Sequence, residues 1–134
     1  MTPGACVCSS ACARTASTSR TIRARVVAGA VCRDWEVGDA ATSSAQIVAS
    51  ELATNAVVHA RTRSVLTVTR SAVELRVAVR DYNPDGTPLP SDARVREARG
   101  LGLVVVGGVS RCWGVTPHLD GKTVWALVPG EARG

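Results

Sequence analysis

The residues DAATSSAQIVASELATNAVVHA (39–60), followed by SVLTVTR (64–70) and VELRVAVR (73–80), decide the fold. In the first stretch Ile47, Val48, Leu52, Ala56 and Val57 recur at three- and four-residue spacing, the signature of one apolar helix face. Asp39 or Thr42 stands where a side chain can cap the start, and the pattern runs to about Ala60. At Ser64 the period drops to two. Ser64 to Arg70 and Val73 to Arg80 alternate and are rich in Val and Leu, as half-buried strands are. Only Ser71 and Ala72 lie between them, so the two runs read as antiparallel strands joined by a tight turn. A helix feeding such a hairpin calls for a layered α+β domain.

The flanks extend the pattern. From Ser17 a second helical repeat places Ile22, Val26, Val27, Ala30 and Val31 on one side, with Arg20, Arg23 and Arg33 free to point outward, and it breaks between Glu36 and Asp39 at Gly38. Residues 81–99 hold three Pro and a Gly without any period, a long loop of the kind that is usually functional. Gly100 to Ser110 returns to a helical pattern. Cys112 to Pro117 and Thr123 to Val128 form two more strands around the turn His118-Leu119-Asp120-Gly121. Helix, helix, strand, strand, loop, helix, strand, strand is the order of an α+β two-layer sandwich, with helices packed on one face of a mixed, mainly antiparallel sheet. The domain is expected over residues 17–130, after a Cys-rich arm or edge strand (1–16) and before a short tail (131–134).

Composition narrows the classes. The chain has 134 residues, one domain's worth, and 46% of them are hydrophobic, too many for a disordered chain. The apolar-plus-glycine run Leu101 to Val109 is far short of a bilayer span, so no membrane segment is expected. With no Phe and 3% aromatics, the core must be built from Ala, Val, Leu and Ile. The net charge of +5 comes almost wholly from Arg, Lys122 being the one Lys; these residues are scattered and not interleaved with stacking aromatics, so a nucleic-acid surface is not expected. Five Cys is an odd count, and Cys6, Cys8 and Cys12 crowd the N-terminus without a downstream pair at zinc spacing. They read as small hydrophobes or a loose tail. The first Arg, Arg14, follows the weakly apolar start instead of preceding it, which does not fit a signal peptide. A reduced, cytoplasmic protein is the expectation.

Three features call for chemistry. Glu51, Asn55 and His59 lie at i, i+4 and i+8, a polar stripe beside an apolar one. Such a stripe is ordinarily a solvated face; alternatively it walls a cleft, where a carboxylate and an amide oxygen one turn apart can hold a hard cation with its waters, or Glu51 serves as a general base. Second, Val79-Arg80-Asp81-Tyr82-Asn83-Pro84-Asp85-Gly86 ends a strand on an acid and turns; turns use these residues anyway, but Asp81 could accept a hydrogen bond from an exocyclic amine. Third, Arg99-Gly100-Leu101-Gly102-Leu103 opens a helix with two glycines, either a plain loop end or backbone N–H groups offered to an anion. It is not the dinucleotide fingerprint, because the third glycine position is Val105. Gly121-Lys122-Thr123 is not a phosphate loop, because Thr116 occupies the upstream glycine position and a strand follows.

Taken in order, helical Glu51…Asn55, strand-end Asp81, the loop, Gly100-x-Gly102 and Thr123 on the last strand resemble the GHKL (Bergerat-fold) ATP-binding domain over roughly residues 17–128. The segment ELATNAVVHA (51–60) resembles the N-box of the small bacterial anti-sigma-factor serine/threonine kinases; Val79-Arg80-Asp81 is similar to their first glycine box, RGLGL (99–103) to the second, and Trp113-Gly-Val through Gly121-Lys-Thr-Val-Trp125 to their ending. The resemblance implies that Asn55 holds the Mg²⁺ on the ATP phosphates and that Glu51 takes the proton from the attacking hydroxyl. It implies that Asp81 reads the adenine amine with Thr123 in support, and that Gly86, Gly100, Leu101, Gly102 and Leu103 frame the nucleotide while Arg99 steadies its charge. It implies as partners a sigma factor and a phosphorylatable anti-anti-sigma (STAS-type) protein, and it leaves a homodimer open. Two departures are visible: the positions of the first box's glycines hold Asn83 and Asp85, with Gly86 one later, and the segment between Gly86 and Gly100 is short. A non-catalytic ATP-binding or partner-binding module of the same fold is the alternative. A catalytic domain detached from a sensor histidine kinase is a third reading, and the chain lacks room for a phosphoacceptor hairpin.

Overall fold

The computed structural model describes residues 12–18, 21–57, 63–83 and 103–130. In these, β1 (Cys12–Thr18) is followed by α1 (Thr21–Asp34), α2 (Asp39–Asn55), β2 (Ser64–Arg70), β3 (Glu74–Asp81), α3 (Leu103–Val109), β4 (Cys112–His118) and β5 (Gly121–Pro129). The strands form one sheet in the order β1-β2-β3-β5-β4, and all four pairings are antiparallel. The helices cover one face, so the α+β two-layer architecture expected from the sequence is the one observed.

Register explains the layering. Cross-strand rows on the helix side run Leu66–Val79–Val124–Val115 and Val68–Val77–Ala126–Trp113, with Leu75 opposite Val128. These side chains are buried except Val115 and Trp113, which pack against the core at its rim. Leu52, Val48 and Val106 meet them from the helices. Each fully buried Leu or Val stabilises the fold by about 1.5–3 kcal/mol relative to exposure.

Two helix readings shift. The strand β1 runs through Thr18, so α1 starts at Thr21 and not at Ser17. Its buried face is Ala24, Ala28, Val31 and Cys32, whereas Val26 is 58% exposed. Small side chains let α1 lie close on α2, where Ala45 and Ala49 are also fully buried and Gln46 Nε2 donates to the Arg25 carbonyl at 3.2 Å. Ile47 in α2 and Val57 just beyond its end face outward, at 39% and 38% exposure, and Ala41, Ala45, Ala49 and Ala53 take their share of the core. Neither Asp39 nor Thr42 caps α2 with its side chain: Gly38 is the cap residue, Asp39 sits in the first turn, and the Thr42 hydroxyl donates back to the Gly38 carbonyl at 2.9 Å. An acid in the first turn still suits the helix dipole.

The β2–β3 turn closes one residue later than the sequence suggests. The Ser71 N–H bonds to the Glu74 carbonyl at 2.9 Å, leaving Ala72 and Val73 at the tip.

Candidate functional site

Topology gathers the polar residues at one end of the sandwich. Gly38 and Asp39 at the start of α2 share a cavity of ≈ 560 Å³ with Gly108, Val109 and Pro129. The start of α2 therefore lies beside the ends of α3 and β5. The opposite end holds the end of α2 with Glu51 and Asn55, the start of β2 with Ser64, the end of β3 with Asp81, and the start of β5 with Lys122.

Asn55 closes α2 while the chain still faces the core. It is 8% exposed, and its Nδ2 has no hydrogen-bond partner among the described residues. If the amide were turned over, its oxygen would take the orphaned place. A buried polar group left unsatisfied costs about 1–3 kcal/mol, so this amide calls for a partner. Glu51, one turn earlier on the same stripe, is half-buried. Between them in sequence, Leu52 and Ala53 are buried and fix the helix to the sheet.

Asp81 extends the odd-numbered inner face of β3 beyond Leu75, Val77 and Val79, and is 3% exposed. Ser64 and Lys122 are its cross-strand partners, so the inner face ends in the row Ser64–Asp81–Lys122. The Asp81 Oδ2 accepts from Lys122 Nζ at 2.8 Å, and its Oδ1 accepts from the Asn83 backbone N–H at 3.2 Å. The β4–β5 turn comes hard against this row. Gly121 has φ 154, and a Cβ there would stand 2.1 Å from the Asp81 carbonyl oxygen, so a side chain is excluded on both counts.

Thr123 is not brought to Asp81. It lies opposite Arg80, on the face away from the helices, where its hydroxyl meets His118 Nε2 at 2.7 Å. The reason is the two-residue period: if Val124, Ala126 and Val128 are buried, Lys122 shares their side and Thr123 cannot. Lys122 is thus the residue that motif reasoning missed, and the alternation along β5 was the signal for it. Leu103 begins α3; Gly86, Arg99, Gly100, Leu101, Gly102 and His59 lie outside the described residues.

The outer face has its own charges. Arg80 Nη2 pairs with Asp120 Oδ1 at 2.6 Å, which holds the Asp120 carboxyl below its usual range, and the Arg80 guanidinium lies over the Tyr82 ring at 4.3 Å. Glu74, nearly buried, is neutralised by Arg111 at 2.6 Å. In the core, burial pushes the Cys32 thiol up, opposed in part by a hydrogen bond to Thr42, so it is an inert thiol. No helix among the described residues is long and apolar enough to cross a membrane.

A helix ending in a buried amide whose Nδ2 has no partner among the described residues, and a strand ending in a buried carboxylate, thus stand at the same end of the two layers. No curated protein matches the chain. The family model of the histidine kinase-like ATPase domain matches residues 14–126, nearly the whole length and every element from β1 to β5. The chain therefore belongs to the histidine kinase-like ATPase (GHKL) domain family.

Proposed function

We propose that the chain is an ATP-dependent serine/threonine protein kinase of the anti-sigma-factor type, which binds a sigma factor and phosphorylates an anti-anti-sigma partner. The observation that supports this reading is Asn55: a buried amide whose Nδ2 has no partner among the described residues, one helical turn from a half-buried carboxylate, in a family of ATPase domains. The donor set fits Mg·ATP. The Asn55 amide oxygen is a hard ligand for Mg²⁺, which takes its other ligands from phosphate and water. Asp81 keeps lone pairs free for the base. The metal, when bound, neutralises charge developing on the phosphates.

The chain's own groups then have distinct tasks. Asn55 would hold the ion at its amide oxygen, and the ion would supply charge neutralisation to the phosphates. Glu51 accepts the proton of the partner's serine hydroxyl as the serine oxygen bonds to the γ-phosphorus and the bond to the bridging oxygen breaks, releasing ADP. Arg99 and the glycines of 100–102 are the proposed phosphate frame. The net charge of +5 favours acidic faces on a protein partner and steers phosphate inward.

Calorimetry with Mg·ATP tests the site: the wild type binds, and Asn55→Ala weakens binding at least a hundredfold. Unchanged affinity removes Asn55 from the site. Labelled ATP with candidate partner proteins tests the transfer. Label is expected on a partner serine, and Glu51→Ala should lower its rate by about 10²–10⁴; a domain that binds ATP and labels no partner is a binding module instead.

A further inference from the structure

Lys122 is the single Lys among 16 basic side chains, and it occupies the place beside the base-reading carboxylate. Its side chain is only 17% exposed and that of Asp81 4% exposed. An ionised carboxylate has roughly four lone-pair positions, and two on Asp81 are taken, by Lys122 and by the Asn83 N–H. An ammonium has three N–H groups, and one is spent on Asp81. The pair therefore offers an acceptor and a donor side by side at the end of the sheet's inner face. Two donors on the open edge of one carboxylate sit roughly 3–5 Å apart, so any base amine that reaches Asp81 also comes within reach of Nζ.

A carboxylate alone discriminates strongly. It accepts from the exocyclic amine of adenine and repels the carbonyl oxygen that guanine carries at the same position. With a cation attached, that repulsion is removed. Guanine can present N1–H and its exocyclic amine to Asp81 and its carbonyl oxygen to Lys122. Adenine can present its amine to Asp81 and a ring nitrogen to Lys122. Expelling Lys122 instead would strand a buried carboxylate without a counter-charge, which is the costlier course. We infer that Lys122 is a specificity-determining residue that reads the base together with Asp81 and admits guanine nucleotides as well as adenine nucleotides. The inference rests on the nucleotide reading of the site.

Calorimetry on the full chain with Mg·ATP and Mg·GTP measures the ratio of the two affinities. In the wild type GTP binds within tenfold of ATP. Lys122→Thr, which can still hydrogen-bond Asp81 but has no charge, weakens GTP at least tenfold more than ATP, and Lys122→Arg preserves the wild-type ratio. A purely structural lysine would shift stability, and both affinities by the same factor. Acetylation of wild-type Lys122, followed by mass spectrometry of its peptide, gives a readout that needs no variant. Both nucleotides should slow the reaction at least fivefold, because the amine donates to the base. GTP binding more than tenfold weaker than ATP, an unchanged ratio in Lys122→Thr, or faster acetylation on nucleotide addition each overturns the inference and leaves the ATP site standing. Absence of binding by either nucleotide overturns the site and the inference together.

Discussion

Glu36 holds φ 57, the sole positive φ of a non-glycine residue among those described. It does so because α1 ends in a Schellman arrangement. The Val37 N–H reaches the Cys32 carbonyl at 2.9 Å, the Glu36 N–H reaches the Arg33 carbonyl at 3.0 Å, and Val37 is buried as the hydrophobic closure. The position is normally glycine, since a side chain in the left-handed region costs about 1–2 kcal/mol. Glycine loses more freedom on folding, about 0.5–1 kcal/mol, so relief of strain wins narrowly. Glu36→Gly should raise stability by roughly 0.5–1 kcal/mol, read as an increased midpoint in urea with an unchanged slope; a lowered midpoint would refute the strain. At this scale the candidate site is legible where a residue type is odd for its surroundings. Asn55 and Glu51 interrupt an apolar helix, and Asp81 ends an apolar strand. The resemblance sets Thr123 in support of Asp81, through its hydroxyl or a water, whereas counting back from Val124 along the pleat puts Lys122 on the side of Asp81.

The elements were readable because periodicity reports which face is buried, and the strands follow it closely. The helices follow it less closely because size competes with hydrophobicity. The outward Val26 and Ile47 are more apolar than the inward Ala24, Ala28, Ala45 and Ala49, yet α1 and α2 approach closely only over small side chains. A tally of large apolar residues therefore selects a rotated face. The β4–β5 hairpin shows the same rule in the sheet. Gly114 on β4 pairs with Trp125 on β5, and a Cβ there would stand 2.4 Å from the indole. The ring fills the missing side chain's place, its Nε1 donates to the Thr116 hydroxyl at 3.2 Å, and Arg76 lies over it at 5.9 Å. Gly114→Ala should displace the indole and cost about 1–3 kcal/mol, the usual toll of overpacking. The loss should appear as a lower denaturant midpoint with a changed tryptophan emission. An unaltered spectrum and midpoint would mean the ring is not seated on Gly114.

For the whole molecule, among the described residues, the apolar rows between the two layers give way at one end to a row of polar side chains. Asn55 comes from the helical layer and Ser64, Asp81 and Lys122 from the sheet. No local pattern announces such an assembly. It becomes visible only once strand order brings β5 between β3 and β4 and so sets Lys122 against Asp81. A ligand bridging the layers there should stabilise the domain as one cooperative unit. At about a hundredfold excess over Kd, Mg·ATP contributes about 2.7 kcal/mol, which raises Tm by roughly 10 °C for a domain of this size. Asn55→Ala separates the two roles of the residue by sign. It removes an orphaned amide and improves helix propensity, so without nucleotide the variant should melt no lower than the wild type, or higher. With nucleotide the wild-type shift should vanish. A variant that melts lower and yet keeps the shift would make Asn55 a structural residue and remove it from the proposed site.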